Sequence, residues 1–222
     1  MPRTDAVLFD LDGTLCVHEQ DGDALLQQTF QRVGIDPYTD QTGLREAIYD
    51  APDADSEVAF LANAFGLAAE RAGAGAVPAT DVAEAYMDLV DHTAVRFREG
   101  ARQALAHVAD SPVGLVTNGS RENQRQKLES LDIEDAFDAI AYAGDDLPAK
   151  PATEPFESVL GDLDVDADAT VHVGNSLGSD VVGANEAGLR SVWVPTAVDY
   201  EENATVEPVH TLDSLENLPT VL

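Results

Sequence analysis

Five short apolar runs recur along the chain, Ala6–Phe9, 113–116, 139–142, 170–173 and 191–194, with stretches of helical period between them. Runs that stay apolar instead of alternating belong to strands buried on both faces. The pattern therefore predicts an α/β fold, a doubly wound and mostly parallel sheet wrapped by helices. Phe156, Val159, Leu160 and Leu163 keep the spacing of one helix face, and Ala104, Leu105 and Val108 form a shorter stripe.

Between residues 18 and 96 the strand signal disappears. Leu26, Phe30 and Val33, then Val58, Leu61 and Phe65, then Val82, Ala85, Tyr86, Leu89 and Val90 mark three helices, the last opened by Asp81 as an N-cap, with a flexible joint at 73–78. The expected organisation is a core of residues 1–17 and 97–222, interrupted by a helical cap, residues 18–96, inserted after the first strand. An insertion there is expected to act as a lid that excludes water and selects the substrate.

Composition narrows the class of partner. The 222 residues carry 42 acidic against 12 basic side chains, a formal net charge of −30, which speaks against nucleic acid and anionic membranes as partners. Apolar residues still make up 44% of the chain, so the acidity coats a packed protein; it suits a salt-rich, halophilic cytosol where screening weakens self-repulsion. The lone cysteine, Cys16, excludes an internal disulfide and a thiolate zinc cluster. No apolar leader or membrane-spanning run is evident, and a cytoplasmic location is expected.

Candidate chemistry gathers where the predicted strands end, as the crevice of a doubly wound sheet requires. Asp10 and Asp12 follow the first run and precede Gly13 and Thr14; a buried strand ending in two carboxylates is costly unless a cation or a phosphate meets it. In such a pair Asp10 can attack an electrophilic phosphorus while Asp12 carries the leaving group's proton. After 113–116 come Thr117, Asn118, Gly119 and Ser120, donors suited to a phosphate at a helix start. After 139–142 the chain reaches Lys150 and Pro151, and after 170–173 it passes Gly174, Asn175 and Ser176 to Asp180. Lys150 and Lys127 are the chain's only lysines, which makes one delivered by a strand-end loop suggestive of charge neutralisation.

In these four segments the chain resembles the haloacid dehalogenase superfamily, specifically its phosphatase-like members with a helical cap after the first motif. The first motif is the run from Asp10 to Leu15, the second Thr117 to Gly119, the third Lys150 and Pro151, and the fourth Gly174 to Asp180. The resemblance implies a Rossmann-like core and a magnesium-dependent phosphatase acting on a small phosphorylated metabolite. Asp10 would form an aspartyl-phosphate, and Asp12 would be the acid and then the base. Thr117, Asn118, Gly119 and Lys150 would bind the phosphoryl group, with Mg2+ at Asp10, Asp12, Asn175 and Asp180. Asn175 departs from the pattern, since the family usually has an aspartate ligand there; Asp180 could compensate through water or by orienting Lys150. Asp12 favours phosphatase over dehalogenase, because a halide leaves without a proton. The absence of a lysine from 18–96 disfavours the phosphonate-cleaving relatives. A sugar phosphomutase and a low-turnover phosphometabolite-binding protein are the alternative readings.

Overall fold

The computed structural model describes residues 4–52, 54, 56–196 and 206–222. The chain divides into two compact units, Met1–Val17 with Val95–Leu222, and His18–Ala94.

In chain order the elements begin with β1 (Ala6–Phe9) and β2 (Cys16–His18). Then come α1 (Gly22–Val33), α2 (Gln41–Asp50), α3 (Glu57–Ala72) and α4 (Ala79–Leu89), followed by β3 (Val95–Phe97) and α5 (Ala101–Val108). The second half runs through β4 (Val113–Asn118), α6 (Arg121–Leu131), β5 (Ala139–Ala143), α7 (Glu154–Leu163), β6 (Thr170–Gly174), α8 (Val182–Glu186), β7 (Arg190–Trp193) and β8 (His210–Thr211).

Six strands form one sheet in the order β5-β4-β1-β6-β7-β8, and every pairing is parallel. β1 lies at the centre, with Val7 opposite Val113 on one side and Val171 on the other. From β1 the order grows outward through β4 and β5, then crosses back to β6. That reversal beside β1 is the topological switch point at which open α/β sheets bind ligands.

The sheet is covered on both faces, which is why its strands read as unbroken apolar runs. Val7 and Phe9 pack with Ala104 and Val108 of α5, Leu128 of α6 and the C-terminal Leu212, Leu215 and Leu218. Leu8, between them in sequence, points into the opposite layer with Phe156 and Val159 of α7. One pleat thus serves two cores, and β1 is fixed against both layers up to the residue before Asp10.

Among its described residues the other unit contains four helices, one more than the apolar pattern predicts. The extra helix, α2, buries only Leu44 and Ala47, too few to leave a legible stripe. Asp81 is also corrected: it sits in the first turn of α4, where its charge suits the helix dipole, while Pro78 occupies the cap position. Leu26, Phe30, Phe65 and Val82 form the centre of this unit's own core. Among the described residues no helix is long and apolar enough to cross a membrane.

Candidate active site

Asp10 directly follows β1, and its N–H donates to the Val173 carbonyl of β6 at 2.9 Å. Its side chain is 8% exposed. Oδ1 accepts a 2.8 Å hydrogen bond from Lys150 Nζ, whereas Oδ2 is buried with no hydrogen-bond partner among the described residues. Lys150 arrives on the loop after β5, and its ammonium also donates to Asp180 Oδ1 at 2.7 Å and to the Val116 carbonyl at 2.8 Å. Those bonds use all three of its donors. Asn118 fixes the backbone beneath: its Oδ1 accepts from the Lys150 N–H at 2.8 Å and its Nδ2 donates to the Lys150 carbonyl at 3.2 Å. The Asn118 side chain thereby holds the backbone of the lysine in place.

One ammonium faces two buried carboxylates, and they are not equivalent. Burial opposes the charge of Asp180, yet Lys150 and His172 outweigh it and hold that carboxyl well below the usual carboxylate range. Asp180 Oδ2 also accepts the Ser176 N–H at 3.0 Å, and His172 Nε2 lies 3.2 Å from Oδ1. Asp10 goes the other way: burial raises its pKa more than Lys150 lowers it, and the charges of Asp180 and Asp12 add to the rise. Lys150 is kept charged, because the two aspartates overcome its own burial. Asp10 is thus the carboxylate whose charge is least compensated by the protein.

Asp180 was expected among the metal ligands. Both its oxygens are committed to Lys150, His172 and the Ser176 N–H, so here it orients the lysine. His172 is a hydrogen-bonded core residue, 1% exposed and edge-on to the Phe156 ring.

Asp12 has partners that sequence reasoning missed. Lys127 Nζ lies 2.7 Å from its Oδ2, and Gln124 Nε2 donates to the same oxygen at 3.1 Å. That oxygen is therefore engaged within the protein. Cys16 Sγ lies 3.9 Å from Oδ1, and the thiol's pKa is pushed up by burial and by the Asp12 charge. A usable signal for Lys127 was present in its rarity: the chain has two lysines, and both meet the aspartate pair.

Thr117, one residue before the end of β4, has its Oγ1 buried and without a hydrogen-bond partner among the described residues. Gly119 adopts φ +127°, and a Cβ there would fall 2.5 Å from Gln124 Nε2, so glycine is what lets Gln124 reach Asp12. Asn175 packs against Gly13, where an added Cβ would lie 2.7 Å from its amide nitrogen, and Asn175 Oδ1 accepts from Thr14 Oγ1 at 3.2 Å. The Trp193 indole is half-buried and donates to the Asn175 carbonyl at 2.6 Å. Among the described residues no group of three or more His, Cys, Asp or Glu side chains is disposed to hold a metal. The partnerless Asp10 Oδ2 and the Asn175 amide oxygen are hard oxygen donors, a set that fits Mg2+.

The family model of haloacid dehalogenase-like hydrolases matches residues 7–194, nearly all of the sheet and every residue just described. The chain belongs to this family. Its membership accords with the parallel sheet and with the aspartate that directly follows the central strand. Among curated haloacid dehalogenase-like relatives, N-acylneuraminate-9-phosphatase of Rattus norvegicus is 33% identical over 109 residues, 49% of this chain and 44% of that protein. The chain thus matches less than half the length of that relative. Validoxylamine A 7'-phosphate phosphatase of Streptomyces hygroscopicus subsp. limoneus is 27% identical over 90% of both chains. The crystal structure of the HAD-hydrolase YfnB from Bacillus subtilis, bound to magnesium, superposes with a TM-score of 0.73 at 22% identity over 99% of both chains, which establishes a shared fold.

Proposed function

We propose that this protein is a magnesium-dependent phosphatase that hydrolyses a small phosphorylated metabolite through an aspartyl-phosphate on Asp10. The observation that carries the reading is the buried Asp10 carboxylate, one oxygen held by Lys150 and the other without a partner among the described residues. Such a group is costly to bury unless an electrophile or a cation meets it. The similarity to phosphatases of N-acylneuraminate 9-phosphate and validoxylamine A 7'-phosphate supports a phosphate monoester as substrate.

In the first half-reaction an Asp10 oxygen bonds to phosphorus as the ester P–O bond breaks, and Asp12 gives its proton to the departing alkoxide. In the second, Asp12 takes a proton from water as the water oxygen bonds to phosphorus and the Asp10–phosphorus bond breaks. Lys150 steadies the charge of Asp10, and Thr117 Oγ1 supplies a hydrogen bond to the phosphoryl oxygens. Asp10 Oδ2 and the Asn175 amide oxygen would hold Mg2+, which when bound neutralises charge on Asp10 and on the phosphoryl group. The helical unit enters the chain six residues after Asp12 and is proposed to select the substrate. The net charge of −30 supports work in concentrated salt.

The test is phosphate release from a panel of phosphorylated sugars, nucleotides and small acids with Mg2+ present. Release by the parent and not by Asp10→Asn is expected; no release from any ester, or equal release by both proteins, would overturn the reading. Asn175 brings no formal charge to the cation. Asn175→Asp is accordingly expected to lower the Mg2+ concentration that half-saturates the protein in calorimetry by roughly tenfold. An unchanged binding curve would remove Asn175 from the ion's coordination.

A further inference from the structure

Both lysines of the chain are buried, each against one carboxylate of the pair after β1, while the ten remaining cationic side chains are arginines. Lys150 accounts for Asp10. Lys127 has no part in the chemistry so far described, although it is 4% exposed and its Nζ sits 2.7 Å from Asp12 Oδ2. Burying an ammonium costs free energy that a surface ion pair would not.

The local architecture is built to hold it there. Lys127 and Gln124 lie three residues apart on α6, hence on one helix face, and both reach the same oxygen of Asp12. Gln124 is itself fixed, because Nε2 also donates to the Asn118 carbonyl at 2.6 Å. Ser120 caps the helix, its Oγ accepting the Asn123 N–H at 3.4 Å, so α6 starts directly behind Thr117, Asn118 and Gly119. Two donors on one oxygen, both from a helix anchored at the strand end beside β1, remove the freedom of the Asp12 carboxylate to rotate away.

We propose that Lys127, assisted by Gln124, is a positioning residue that fixes the Asp12 carboxylate for proton transfer to the leaving group. This rests on the phosphatase reading, in which Asp12 delivers a proton as the ester P–O bond breaks. An ester with a poor leaving group then depends on Lys127, while one whose leaving group departs as a stable anion does not.

The experiment compares kcat/KM, which reports the steps through leaving-group departure, for phenyl phosphate and dinitrophenyl phosphate in the parent, Lys127→Met, Lys127→Arg and Gln124→Leu. Lys127→Met is expected to lose roughly 10- to 100-fold on phenyl phosphate, within the range of general acid catalysis, and to stay within about threefold of the parent on dinitrophenyl phosphate. Lys127→Arg should recover most of that loss, and Gln124→Leu should show the same split with smaller size. Equal losses on both esters, or no loss on either, would overturn the inference while leaving the phosphatase reading in place. Should Lys127→Met fail to fold, the split or its absence in Gln124→Leu decides. If the parent cleaves neither ester, nor any of the phosphate panel, the phosphatase reading fails and this inference with it.

Discussion

Asp10→Asn is expected to lose phosphatase turnover by more than about 10⁴-fold while folding at least as well as the parent. The loss follows from removing the only atom proposed to bond to phosphorus. The retained fold follows from the environment: an amide oxygen can still accept from Lys150 Nζ, and among the described residues Oδ2 makes no hydrogen bond that would be lost. Burial also raises the native pKa of Asp10 above its unfolded value. A carboxyl shifted that way contributes stability below the unfolded pKa and loses it as pH rises through the folded one. With metal chelated, the variant should therefore equal or exceed the parent in thermal stability above neutral pH, and the advantage should shrink toward pH 4. Thermal melts across that range check it; a variant that melts well below the parent at pH 8 would mean that the ionised Asp10 supports the fold.

Lys150→Met is expected to affect both stability and turnover. Removing the ammonium strips the buried Asp10 and Asp180 of their shared counter-charge and leaves the Val116 carbonyl without its donor. Breaking a buried pair by deleting one partner costs about 3–5 kcal/mol, or roughly 6–20 °C in melting temperature for a chain of this size. Lys150→Arg is not expected to rescue it, because a planar guanidinium cannot aim three bonds from one nitrogen in a pocket where the side chain is 2% exposed. The pH dependence has the opposite sign to that of Asp10. Asp180 is depressed in the folded state, so its contribution is complete above the unfolded carboxylate value and lost as pH falls through the folded one. The stability gap between parent and Lys150→Met should be full at neutral pH and narrow in acid. Chemical denaturation at several pH values measures the gap, and a gap independent of pH would place the stabilisation elsewhere than in the Lys150–Asp180 pair.

The central strands were legible because each is buried on both faces and so spells an unbroken apolar run, as Ala6–Phe9 does. β2, β3 and β8 were not, since two or three residues carry no period to detect. α2 escaped for a related reason, having only Leu44 and Ala47 buried. At the site, Asp10, Asp12, Thr117 and Lys150 announce themselves by lying at or after the ends of successive apolar runs. What a residue touches across the fold does not show in local spacing. Asn118 turns its amide to the Lys150 backbone, Asp180 commits both oxygens to the lysine, the histidine and a main-chain N–H, and Lys127 meets Asp12 across 115 positions of sequence.

The most direct measurement is the covalent state of Asp10 during turnover. Rapid acid quench of the parent with dinitrophenyl phosphate and Mg2+, followed by peptide mass spectrometry, should find one phosphoryl group on the peptide containing Asp10, and none in Asp10→Asn. Phosphate release from the parent with that peptide unmodified at every quench time, or with the phosphoryl group on another residue, would contradict nucleophilic attack by Asp10.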